Sequence, residues 1–221
     1  MPSQNNIPTV QHICQIITQA IREGRLAPGQ RLTEAEFTRK LAVSRPTIRE
    51  AFRQLCNDGL LQFEPHRGAS VRQLTRHELD DLFVIRASLE ALAVRLSAPL
   101  LEQAPGPLLQ IQASLDKAEQ EGDRKKMAKY NIAFHQLFAE TSGNTLLQSI
   151  LNRLTNSVYW LQLQALIHDE QVMHTNSQHQ QITAAILAGR GDDAALIMTD
   201  HIERSRQLTQ WLDDSRFAQA D

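Results

Sequence analysis

The stretch LAVSRPTIREAFRQ, residues 41–54, combines a hydroxyl with three guanidinium groups. Ser44 and Arg45 stand near its start, and Arg49 and Arg53 follow at intervals of four. On an α-helix that interval drifts only slowly, so the three arginines share one face. A guanidinium fork can reach two acceptors of a guanine at once. The free N–H groups of a first helical turn can hold a phosphate oxygen, assisted here by the hydroxyls of Ser44 and Thr47. The chemistry on offer is recognition of a duplex by Ser44, Arg45, Thr47 and Arg49. Arg53, further along, suits a phosphate or a salt bridge to Glu50. The opposite face, Ile48, Phe52 (or Ala51) and Leu55, is apolar and expected in a core.

Histidines supply a second set of candidates. Asn131 and His135 lie four residues apart, hence on one helical face, flanked by Ile132 and Phe138. His179 is followed by Ile182 and Ile186, and His201 is bracketed by Ile197 and Leu208. Taken singly, each imidazole is a core or surface residue. Three on the inward faces of three helices can meet inside an antiparallel bundle. Imidazoles suit zinc, nickel and related divalent ions, and the Asn131 oxygen can complete the protein ligands. Open coordination positions would accept a carboxylate effector. Arg86 either faces such an acid or forms a salt bridge to Glu90 one turn on. Tyr159 is either a pocket wall or core packing. His12, His77, His168 and His174 have no such support.

The elements that must position these residues are mostly helical. Residues 9–23 carry Val10, Ile13, Ile16, Ile17 and Ile21 mainly on one stripe, with Gly24 after it. Pro28-Gly29 marks a turn. Thr33 with Glu36 predicts a capping box opening a helix over 34–41. Ser44 is the expected N-cap of the next helix, with Pro46 in its first turn and Asp58-Gly59 closing it. Two short helices across a tight turn form a helix-turn-helix. Leu61 and Phe63 then alternate with polar residues, and Ser70-Val71-Arg72 follow the turn PHRG. These predict a β-hairpin wing whose tip, His66, Arg67 and Gly68, touches the minor groove or backbone of a duplex. Residues 1–75 therefore read as a winged helix. Helices are predicted over 76–103, 106–121, 123–141, 144–168, 170–189 and 191–213, a bundle of about six over 76–221. The fold class is mainly α.

Composition narrows the function. The net charge of −2 over 221 residues hides a split: residues 1–75 hold ten Lys and Arg against six Asp and Glu, the remainder thirteen against nineteen. Only the first part is suited to a polyanion. No apolar run approaches the roughly 18 residues that would span a bilayer. The start MPSQNNIPTVQ lacks the charged and apolar segments of a secretory signal. Cys14 and Cys56 are expected as free thiols. These features suit a cytoplasmic protein. No zinc-hydrolase motif, nucleophile elbow or phosphate-binding loop is present, which argues against an enzyme.

The run IREGRLAPGQRLTEAEFTRKLAVSRPTIREAFRQLCNDGLLQFEPHRGASV resembles the N-terminal domain of GntR-family transcription regulators. The pieces LFVIRASLEALAVRLSA, NIAFHQLFAETSGNTLL and HQQITAAILAGRGDDAALIMTDHI resemble the FCD sensor domain of the FadR-like subgroup. Six sensor helices correspond to the branch without an additional one. The resemblance implies a homodimeric repressor on a palindromic operator, with Ser44, Arg45, Thr47 and Arg49 reading DNA and the wing at His66 to Gly68 adding contacts. Some members carry an arginine where this chain has Ala35. The resemblance also implies a metal held by an aspartate and three histidines, with Asn131 in the aspartate's place. The competing expectation is a metal- and carboxylate-binding protein whose DNA-binding domain is not functional.

Overall fold

A computed structural model describes residues 9–64, 68–168 and 176–219. The chain divides into two compact units, one running to Leu74 and regaining the tail from Arg216, the other Thr75–Ser215. The tail, which the sequence places with the bundle, thus belongs to the first unit.

In the first unit, α1 (Val10–Arg22) buries Ile13, Cys14, Ile17, Ala20 and Ile21, and Thr9 caps its start. α2 (Glu34–Leu41) buries Phe37, and the Thr33 hydroxyl accepts from the Glu36 amide at 3.3 Å, the hydroxyl half of the expected box. Ala42 ends α2 in the left-handed region, φ 53°. Val43 is buried, and α3 (Arg45–Asn57) begins at once, capped by Ser44. Ile48, Ala51, Phe52 and Leu55 form the buried face of α3. Both Ala51 and Phe52 are inside because each lies within the apolar arc facing α1 and α2.

Among the described residues the wing has three strands. β1 (Arg31–Leu32) pairs antiparallel with β3 (Gly68–Val71), which pairs with β2 (Leu61–Glu64), in the order β1-β3-β2. Leu61 faces Val71 and Glu64 faces Gly68 across the hairpin. Leu61 is buried, whereas Phe63, nearer the tip, is 71% exposed because the core no longer lies beneath it. The Gly29 amide donates to the Val71 carbonyl at 2.9 Å, so the Pro28-Gly29 turn delivers β1 to the sheet.

The second unit holds α4 (Arg76–Gln103), α5 (Gly106–Gln120), α6 (Arg124–Thr141), α7 (Thr145–His168), α8 (Asn176–Leu187) and α9 (Gly191–Gln210). The start of the predicted 170–189 helix falls outside the described residues. A full capping box opens α4: the Thr75 hydroxyl accepts from the Glu78 amide at 3.1 Å and the Glu78 carboxylate from the Thr75 amide at 2.9 Å. α9 stops at Gln210, short of the expected 213, and a 3-10 turn covers Asp214–Arg216. α4 packs most extensively on α9, and their paired ends are fastened by Arg76, which donates to the carbonyls of Gln210 (2.7 Å) and Leu212 (2.8 Å) and to Asp214 (2.9 Å). Beyond the turn, the Ala218 amide donates to the Leu74 carbonyl at 2.9 Å.

Candidate functional site

The start of α3 faces solvent. Ser44, Arg45 and Arg49 are exposed and Thr47 is half-buried. The Ser44 Oγ accepts from the Thr47 amide at 3.3 Å and lies 2.7 Å from the Thr47 hydroxyl, so both hydroxyls are gathered at the N-terminus of α3. That end carries partial positive charge and unsatisfied N–H groups. Arg45 makes no hydrogen bond or ion pair among the described residues. Arg49 is different: its Nε and Nη2 donate to the two carboxylate oxygens of Glu34 at 2.8 and 2.9 Å. This hydrogen bond holds the Glu34 carboxyl below its usual range against partial desolvation, with the charges of Arg49 and Arg45 adding to it. Gly68 opens β3 at φ 82°, a conformation natural to glycine. His66 and Arg67 lie outside the described residues.

Inside the bundle three imidazoles meet. His135 comes from α6, His179 from α8 and His201 from α9, all buried. One ligand atom from each lies within 4.8 Å of the others. The Nε2 of His201 stands 3.2 Å from that of His179 and 3.3 Å from that of His135. Partners at the opposite edges favour one tautomer for two of the rings. The Nδ1–H of His135 donates to Glu90 Oε2 at 2.9 Å, and Gln178 Oε1 accepts from His201 Nδ1 at 3.3 Å. Both leave the Nε2 lone pair pointing to the common centre. Burial first, then the neighbouring imidazole His135, pushes the His179 pKa down to about 3. Burial and the two other imidazoles hold His201 well below its ordinary value. Held neutral by burial, His179 and His201 present lone pairs toward the same centre as the His135 Nε2, the electronic requirement of a cation site. The donor set fits a divalent metal.

Arg86 realises the salt bridge to Glu90: its Nε donates to Glu90 Oε1 at 3.0 Å, and both side chains are fully buried. Burial alone would raise the Glu90 pKa. Interaction with the His135 imidazole and the Arg86 guanidinium, with their hydrogen bonds, overcomes it and brings the group to about 2. Among the described residues Arg86 Nη1 is buried without a hydrogen-bond partner. Asn131 sits half-buried one turn before His135, and Tyr159 half-buried on α7. Glu90 escapes a sequence reading as a histidine partner, because 45 residues separate it from His135; only its i+4 relation to Arg86 is visible. Gln178 is equally hidden, being adjacent to His179 yet serving His201.

The fold and these two sites define a class: a winged-helix protein that carries a histidine-lined helical bundle. Residues 9–71 match the description "Bacterial regulatory proteins, gntR family" and residues 81–204 match "FCD domain". The chain belongs to the GntR family of bacterial regulatory proteins, with an FCD domain at its C-terminal side. It is 27% identical over 210 residues to the HTH-type transcriptional repressor RspR of Escherichia coli, covering 92% of this chain and 91% of that one. It is 30% identical over 186 residues to the "Probable D-xylose utilization operon transcriptional repressor" of Paenarthrobacter nicotinovorans, covering 84% and 82%. Among solved structures, Escherichia coli McbR/YncC superposes with a TM-score of 0.76 at 20% identity, covering 91% of this chain and 96% of that one. At that identity the likeness establishes the fold. The protein is a DNA-binding transcription regulator and not an enzyme. Among the described residues no helix is long and apolar enough to cross a membrane.

Proposed function

We propose that the protein is a cytoplasmic, homodimeric repressor whose grip on a palindromic operator is set by a small carboxylate bound at a metal centre in the bundle. The winged unit, running to Leu74 and regaining the tail from Arg216, is the DNA reader, with Ser44, Arg45, Thr47, Arg49 and the wing at His66, Arg67 and Gly68 against the duplex. The unit Thr75–Ser215 is the sensor and pairs the subunits. The observation that carries the sensor half is the meeting of three Nε2 atoms from three helices.

Asn131, His135, His179 and His201 would hold the ion, zinc or nickel. When bound, it supplies a Lewis-acidic position for an anionic oxygen. Arg86 then offers its Nη1, which has no hydrogen-bond partner among the described residues, to the effector carboxylate, and Tyr159 would be a wall of the pocket. Glu90 orients His135 and balances Arg86. Pairing of subunits is supported by α4, where Ile85, Leu92, Leu96 and Leu100 are exposed at spacings that form one apolar stripe. Two winged units so joined would meet half-sites about one helical turn apart. An effector that favours a different placement of the pair releases the DNA, for a coupling of about 1–3 kcal/mol.

The test is a thermal-shift series with zinc, nickel or chelator against a panel of organic acids. It is combined with gel shifts on DNA upstream of the protein's own gene. A metal at about 100 times its Kd adds about 2.7 kcal/mol to the stability of the bundle. One acid is expected to add further stabilisation only in metal-loaded protein, and to lower DNA affinity. Stabilisation by no metal, or by no acid after loading, overturns the sensor reading. Unchanged DNA affinity in Arg45→Ala overturns the assignment of α3.

A further inference from the structure

Arg45 and Arg49 stand side by side on α3, yet they are presented differently. Arg45 makes no hydrogen bond or ion pair among the described residues, although its charge reaches Glu34. Arg49 is clasped by both oxygens of Glu34, the first residue of α2, while its side chain stays 65% exposed. The clasp is between elements, 15 residues apart in sequence, and its two short contacts lie on one edge of the guanidinium.

An arginine has five N–H donors in a fixed plane: one on Nε and two on each Nη. Glu34 occupies Nε and one hydrogen of Nη2. The remaining hydrogens lie on Nη1 and on the outer side of Nη2, where one from each forms a second parallel fork. That fork lies at the end of a side chain that is 65% exposed. The carboxylate is itself anchored, since a negative charge at the first residue of a helix is favoured by the helix dipole. It also offsets much of the positive charge that would draw Arg49 to any phosphate.

We infer that Glu34 is a positioning residue for sequence recognition. It holds Arg49 so that the outer fork meets the O6 and N7 of a guanine in the major groove, and it suppresses sequence-independent attraction of that arginine to the backbone. Arg45, unbraced, is left to supply phosphate attraction. Glu34 thereby trades raw affinity for discrimination. This inference rests on the proposed role of α3 as the duplex-reading helix.

The test uses full-length protein and a randomised duplex library. The duplex enriched by wild type and a scrambled duplex of the same composition are then titrated with wild type and Glu34→Gln. The substitution keeps one acceptor oxygen but removes the charge and the two-point grip. The ratio of specific to scrambled affinity is expected to fall about tenfold, near the low end of what one bidentate base contact discriminates. Scrambled-duplex affinity should rise, and its dependence on log salt should steepen by about one unit, as one more cation becomes free for phosphate. In an Arg49→Ala background Glu34→Gln should leave the ratio unchanged, which a purely architectural acid would not do. A selected duplex bound by Glu34→Gln with the wild-type ratio overturns the role of Glu34 alone. So does an equal loss on both duplexes. Failure of wild type to enrich any duplex overturns the duplex-reading role of α3, and this inference with it.

Discussion

Replacement of Glu90 by alanine is the sharpest probe of the bundle interior. The carboxylate accepts from Arg86 Nε at 3.0 Å and from His135 Nδ1 at 2.9 Å. Glu90→Ala leaves a guanidinium that is 1% exposed without a counter-charge, and its Nη1 already has no hydrogen-bond partner among the described residues. Removing one member of a buried ion pair costs about 3–5 kcal/mol. The orphaned His135 donor adds about 1–3 kcal/mol, part of the same desolvation, so the expected loss is about 4–5 kcal/mol. That is a large share of the roughly 5–15 kcal/mol available to a domain. With a urea slope of about 2 kcal/mol/M for a unit of this size, the midpoint falls by about 2 M. Exchanging both partners, Arg86→Met with Glu90→Leu, removes the buried charges together and is expected to cost about 1–3 kcal/mol, chiefly the His135 donor. Urea titration in chelator suits the comparison, because both tryptophans, Trp160 and Trp211, lie in the second unit and report on it directly. A single variant that loses under about 1 kcal/mol, or a double variant less stable than the single, would refute the reasoning.

Other consequences are smaller but equally open to measurement. Ala42→Gly relieves the left-handed backbone between α2 and α3; after the added freedom of the unfolded chain is deducted, thermal melts should show a gain of about 0.5–1 kcal/mol in the first unit. Thr75→Ala removes the hydroxyl half of the cap on α4 and should cost about 1 kcal/mol in the same assay. Burial, then the charges of Asp58 and Glu50, lift the Cys14 thiol to about 11. A folded pKa raised above the unfolded one means that the stabilisation is complete below about pH 9 and is lost as pH rises from about 9 to about 11. Iodoacetamide should accordingly modify Cys14 slowly at pH 8 in native protein and rapidly in denaturant, and equal rates would contradict the burial.

Much of this architecture is written in local signals. Ser44 ahead of an apolar face fixes α3, and Gly24, Gly59 and Gly189 fall at helix ends with positive φ. The inward placement of His135, His179 and His201 follows from their apolar neighbours three, four and seven residues away. What escapes is whatever depends on distant partners. β1 has two residues, too few to carry a period, and exists because β3 offers it an edge. Glu34 and Glu90 look like solvated helix acids until the turn after α2 and the packing of α4 on α6 bring them to Arg49 and His135. The partial box at Thr33 and the complete one at Thr75 have the same sequence spacing. Only side-chain conformation separates them.

The tail carries a lesson for anyone dividing the chain. Because Ala218 bonds to Leu74 and the segment from Arg216 belongs to the first unit, the bundle is topologically an insert in the winged domain and not an appendage to it. A fragment ending at residue 75 would lack its own last piece. A graft that joins Leu74 to Arg216 through a short bridge would restore it, and is the natural way to lift the reader free of its sensor.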